Sequence, residues 1–164
     1  MSPLKDQLQA DLTAAMRSQD ELTMATLRMA LTAVTNAEVS GKEARELSDD
    51  DIVGVLGSEA KKRREAAEAY AQAGAEDRAD RERAELAVLE RYLPEALTDD
   101  EVDALIAQAV ADAREEGQVG PAAMGAVMKK VQPQVRGRAD GAVVAGKVRA
   151  ALDPVGGAAP LGDL

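Results

Sequence analysis

The chain of 164 residues contains no cysteine and no histidine. Disulfides, thiolate nucleophiles, zinc centres built on Cys or His, and Ser-His-Asp or Cys-His catalytic sets are thereby excluded. So is the side chain that most often moves protons near neutral pH. Tryptophan and phenylalanine are also missing, and the aromatic class is reduced to Tyr70 and Tyr92. Strand-rich folds lean on aromatic and β-branched residues, so an all-β sandwich or barrel is excluded, as is an aromatic platform for stacking unpaired bases. No window approaches the ~20 apolar residues that a membrane-spanning helix requires. The opening Met1-Ser2-Pro3-Leu4-Lys5-Asp6 lacks the basic-then-apolar pattern of a leader. A cytoplasmic location without a membrane partner is the expectation.

What the chain does have is Ala, Leu, Glu and Arg at helical spacing. Leu4, Leu8, Leu12, Ala15 and Met16 share one face behind Pro3, and Met24, Leu27, Leu31 and Val34 form a second face that closes near Ser40-Gly41. Ser48 with Asp49-Asp50-Asp51 opens a third helix, whose core face is Ile52, Val53, Leu56, Ala60, Ala67 and Tyr70 and which Gly74 closes. A fourth runs from Glu76 to Tyr92 and stops at Leu93-Pro94, because the residue before proline avoids helical geometry. Thr98-Asp99-Asp100-Glu101 is a capping-box pattern for a fifth helix, ending at Gly117. Two shorter helices follow, Pro121 to Val131, broken at Gln132-Pro133, and Ala139 to Leu152. The expected fold class is all-α, with an N-terminal bundle of about four helices and a smaller C-terminal bundle of about three. The expected domains are residues 1–93 and 94–153, and the Gly- and Pro-rich residues 154–164 are expected to be a disordered tail.

The formal charge of −10 is unevenly placed. Residues 1–120 carry 14 Lys and Arg against 27 Asp and Glu, a net of −13, whereas residues 121–164 carry six against three, a net of +3. Lys129, Lys130, Arg136, Arg138 and Lys147 thus form a basic end, around the Gly-containing turn Arg136-Gly137-Arg138. Backbone amides and guanidinium forks in such a turn hold phosphate oxygens; a solvated surface balancing the acidic part is the other reading. Lys61-Lys62-Arg63-Arg64 is a second basic cluster, fanned around a helix turn, with Glu59, Glu65 and Glu68 within reach. It reads either as a salt-bridged, water-exposed helix or as a contact for RNA or an acidic partner.

Motifs of chemistry are weak. Gly120-Pro121-Ala122-Ala123-Met124-Gly125 has the glycine spacing of a P-loop, but Ala126 and Val127 stand where Lys and Ser or Thr would hold phosphate and magnesium. Ser58-Glu59-Ala60-Lys61 matches Ser-x-x-Lys with no supporting second motif. The acid runs Asp49-Asp50-Asp51 and Asp99-Asp100-Glu101 sit at helix starts, where acids are expected for dipole reasons, and lack the rhythm of a calcium loop. Met124 and Met128 read as core filler. No catalytic residue, metal site or cofactor is expected.

Taken in order, one set of segments resembles a known family. They are Asp11-Leu12, Ala15-Met16-Arg17, Asp20, Thr26-Leu27-Arg28-Met29, Asn36-Ala37-Glu38-Val39, Glu59 through Glu65, Glu85-Leu86, Leu89 through Pro94, Met124-Gly125, Val127-Met128 and Arg136 through Gly141. Over Leu4 to Leu152 the chain resembles the YqeY-like family, related to the tail domain of the GatB subunit of glutamine-dependent aminoacyl-tRNA amidotransferases. Thr13 stands where a lysine is common in relatives, and Ala122-Ala123 where an acid is often found. The resemblance implies an all-α fold and a link to carbon–nitrogen ligase activity with glutamine as amide donor. It also implies a non-catalytic tRNA-contacting role, placed at Lys129, Lys130, Arg136, Arg138 and Lys147. The expected partner is tRNA or another structured RNA. The alternative is a helical scaffold that docks on a translation-related enzyme.

Overall fold

A computed structural model describes residues 2–153. Residues 154–164, the expected disordered tail, lie outside the described residues. Seven α-helices and one 3-10 turn account for the regular structure, with no strand among the described residues, so the chain is all-α. It divides into two compact units, the first ending at Pro94 and the second beginning at Glu95.

The first unit contains α1 (Pro3–Ser18), α2 (Glu21–Glu38), α3 (Asp49–Gln72) and α4 (Glu76–Glu90). Leu8, Leu27, Ala30, Val34, Leu47, Ile52, Leu56, Ala60, Val88 and Leu89 are its buried core. Burying a leucine-sized side chain is worth about 1.5–3 kcal/mol, so the core, more than helix propensity, selects this packing. Met16, assigned to the core face by its spacing, is instead 49% exposed. Val53 and Tyr70 are only half-buried. The Ser2 hydroxyl accepts from the Lys5 amide and donates to the Asp49 carboxylate, tying the starts of α1 and α3 together.

The second unit contains α5 (Asp99–Glu115), a 3-10 turn (Gly120–Ala123), α6 (Met124–Val135) and α7 (Gly141–Leu152). Its core is Val102, Ile106, Ala109, Ala113, Ala123, Val127, Val131, Val135, Val144, Val148 and Leu152, with Met124 and Met128 packed against it.

Both units open a helix in the same way. In Leu47-Ser48-Asp49-Asp50-Asp51-Ile52 and Leu97-Thr98-Asp99-Asp100-Glu101-Val102 the hydroxyl residue caps, and the acid three positions on bonds back to its amide. The flanking apolar residues belong to the respective cores, the arrangement of a hydrophobic staple. The hydrogen bonds to Ser48 and Thr98 hold the Asp51 and Glu101 carboxyls below their ordinary range.

Three helix boundaries differ from those the spacing predicts. α2 stops at Glu38 and Gly41 takes no left-handed conformation; the chain turns there through the Arg45 amide bonding the Glu38 carbonyl at 2.9 Å. α6 runs through Pro133 to Val135, because the stripe Val127, Val131 and Val135 stays buried and offsets the amide that proline lacks. α7 begins at Gly141, with Asp140 as its cap at 2.9 Å to the Ala142 amide. α1 is closed by Gln19, held at φ 58 while the Asp20 amide reaches back to the Ala15 carbonyl, a turn that glycine usually makes.

Candidate nucleic-acid interface

The basic residues of the second unit are placed by α6, α7 and the turn between them. Gly137 adopts φ 73, which lets the Arg138 and Ala139 amides both bond the Val135 carbonyl, at 2.8 and 3.0 Å. Arg138 then serves the fold: its carbonyl accepts from the Leu97 amide at 2.8 Å and its Nε donates to the Glu95 carbonyl at 2.8 Å. The segment before α5 is thereby fastened to the α6–α7 turn.

Lys147 on α7 lies 2.7 Å from Asp103 on α5. That hydrogen bond, assisted by the charges of Asp103, Asp99 and Asp100, holds its ammonium above the ordinary lysine range. Lys130 on α6 lies 3.1 Å from Glu116, the residue that caps the far end of α5. Asp103 and Glu116 are roughly 20 Å apart at ~1.5 Å of rise per residue. Lys130 and Lys147 are therefore anchored toward opposite ends of one acidic helix, with Arg138 near the Lys147 end. Lys129 on α6 and Arg136 at its C-terminal cap are exposed, seven positions apart and so on one stripe. Sequence spacing does not reveal Asp103 and Glu116, since pairs across 44 and 14 positions leave no periodic trace.

The Lys61 to Arg64 cluster resolves differently. Lys62 is exposed and pairs with Glu59 at 3.0 Å, and Arg64 is exposed and lies 3.9 Å from Glu90. Arg63 turns inward, with 13% of its side chain exposed, among Glu59 at 3.4 Å, Glu85 at 3.3 Å and Glu82 at 3.8 Å, and it touches the Met29 sulfur. The reading of this segment as wholly water-exposed is corrected at Arg63, because α4 supplies carboxylates that lie beyond the local sequence. Burial, reinforced by the Glu85 charge, pushes the Glu82 carboxyl up despite Arg63.

A cleft of about 580 Å³ opens in the first unit beside Asp11, Asp20, Thr23, Arg91 and Tyr92. The Tyr92 hydroxyl donates to Asp11 at 2.5 Å, and burial together with that bond pushes its phenol well above the ordinary range. Such a phenol stays protonated and clamps the end of the α4 region to α1. It is not poised for proton transfer.

The fold is that of an all-α protein of two helical units, the second of which carries Lys129, Lys130, Arg136, Arg138 and Lys147. The pattern that defines the YqeY-like proteins matches residues 5–152, and the chain belongs to that family. It is 31% identical over 134 residues to a protein of Pyrenophora tritici-repentis named "Altered inheritance of mitochondria protein 41, mitochondrial". The match spans 80% of this chain and 71% of that relative. The relative's name places that protein in mitochondria. Among the described residues no helix is long and apolar enough to cross a membrane.

Proposed function

We propose that the protein is an accessory RNA-binding module, with tRNA as its first candidate ligand, and that the second unit makes the contact. The observation that supports this reading is that Lys129 and Arg136 lie on one exposed stripe of α6 and its cap, in the unit that also carries Lys130, Arg138 and Lys147. Phosphate contacts need cations at the surface more than a deep pocket, and they position a ligand without reading bases. The internal pairs of Lys130 and Lys147 are surface pairs, worth about 0–1 kcal/mol each, and exchange readily for phosphate. The resemblance to the tail of GatB supports tRNA over other RNAs and connects the protein to tRNA amidation. Glutamine-dependent ligase chemistry would then reside on a separate enzyme.

The test is filter binding of the full chain to tRNA and to duplex DNA at two salt concentrations. Changing Lys129, Lys130 and Arg136 together to Ala is expected to weaken tRNA binding. The salt slope should fall by roughly 0.7–0.9 for each phosphate that is no longer neutralised. An unchanged titration removes the site. Failure of the native chain to bind tRNA at low salt removes the reading, and a protein partner retained after nuclease treatment would replace it with the scaffold.

A further inference from the structure

Two of these five basic residues meet an acid at the ends of α5. Lys147 is 2.7 Å from Asp103, and Lys130 is 3.1 Å from Glu116. The acids are more exposed than their partners, at 58% each against 30% for Lys147 and 31% for Lys130. Each lysine is therefore drawn down against α5, while each acid remains open to water and can let go without exposing any core. Asp99 and Asp100 add their charge around Lys147, so the start of α5 is a local concentration of anions beside that lysine. Glu101 lies within range of Arg138. The same helix thus offers carboxylates to cations near both of its ends.

We infer that Asp103 and Glu116 are internal competitors for the cations an RNA backbone would contact, setting how dense a polyanion must be to engage the second unit. This rests on the RNA reading above. A lone anion meeting Lys147 or Lys130 replaces one carboxylate by another charge and gains little. A chain of phosphates that reaches both ends of α5 displaces both acids and adds Lys129 and Arg136, so its contacts accumulate. The carboxylates thereby filter against small anions and short oligonucleotides, and they keep a chain of net charge −10 from binding polyanions indiscriminately.

Two double variants of the full chain, equal in net charge and changed along the same helix, test this. One is Asp103→Asn with Glu116→Gln. The other is Asp112→Asn with Glu115→Gln, at acids that form no ion pair among the described residues; Asp112 only accepts from the Gln108 amide at 2.9 Å. With tRNA as probe in filter binding, the first variant is expected to bind about three- to tenfold tighter than the native chain, and the second at most about twofold tighter. Equal affinity of the two variants overturns the inference, since general charge would then explain any gain, and it leaves the RNA reading in place. Absence of tRNA binding by the native chain and by both variants removes that reading itself.

Discussion

Arg63 in the first unit is sealed between α3 and α4, its side chain 13% exposed and faced by three glutamates that are themselves 10–21% exposed. Lys130 and Lys147 in the second unit are 30–31% exposed, and each faces one acid that is 58% exposed. Every buried polar or charged residue among those described, Ser2, Thr23, Thr26 and Glu59, also lies in the first unit. The second unit's core is built from Val, Ala, Ile and Leu alone. The Arg63 cluster of the first unit is thus a largely buried network, in which losing the cation leaves its carboxylates uncompensated. Charge in the second is held at the rim, where pairs are weak and a ligand can take them over.

The strongest way to break this contrast is Arg63→Ala. It strands Glu59, Glu82 and Glu85 together without their shared cation and is expected to cost about 3–5 kcal/mol, read as a lowered urea midpoint. A cost below about 1 kcal/mol would place Arg63 with the rim lysines and dissolve the difference between the units.

The contrast itself is only half legible in the sequence. Helix number and class follow from apolar spacing, and the starts of α3 and α5 follow from Ser48 and Thr98, since a capping box is a signal confined to four residues. Pro133 misleads because the burial of Val135, a tertiary effect, overrides a local breaker. Gly41 misleads because a glycine permits a left-handed turn without requiring one. The cationic end is visible as a count of charges. Its partners are not, for Asp103 and Glu116 meet Lys147 and Lys130 only after α5 packs on α6 and α7. Likewise Arg63 looks like one cation among four in Lys61-Lys62-Arg63-Arg64, and only the packing of α4 onto α3 singles it out.

Titration sharpens the comparison with a smaller effect. Glu82 is faced by Arg63 from α3 and by Glu85 and Arg81 on its own helix. Its carboxyl is pushed above the ordinary 4.5 by burial first and by Glu85 second. The folded protein therefore holds that proton more tightly than the unfolded chain. The stabilisation is complete below 4.5 and is lost as pH rises through the raised folded value. Asp20, Asp51 and Glu101 are lowered by their capping hydrogen bonds, so their contribution is present above the ordinary values and is lost as pH falls. Glu82→Gln is expected to raise the neutral-pH melting midpoint and to flatten its fall between mildly acidic and neutral pH. A steeper fall in the variant would mean that Glu82 is ionised and stabilising in the native seam.

The smallest expected effect falls on the second unit. Lys130→Ala removes one partner of a pair whose acid, Glu116, stays 58% exposed and can be rehydrated at once. The loss is expected to stay within about 1 kcal/mol and to vanish near 1 M salt, where screening reaches ~3 Å. Urea unfolding of this variant at low and high salt, beside Arg63→Ala under the same conditions, measures both sides of the contrast. Arg63→Ala should keep most of its cost in salt, since ions do not enter the α3–α4 seam to replace the guanidinium. If Lys130→Ala proved as costly and as salt-resistant, its pair with Glu116 would be part of the fold, and the lysine could not be surrendered to a phosphate without loosening the unit that presents it.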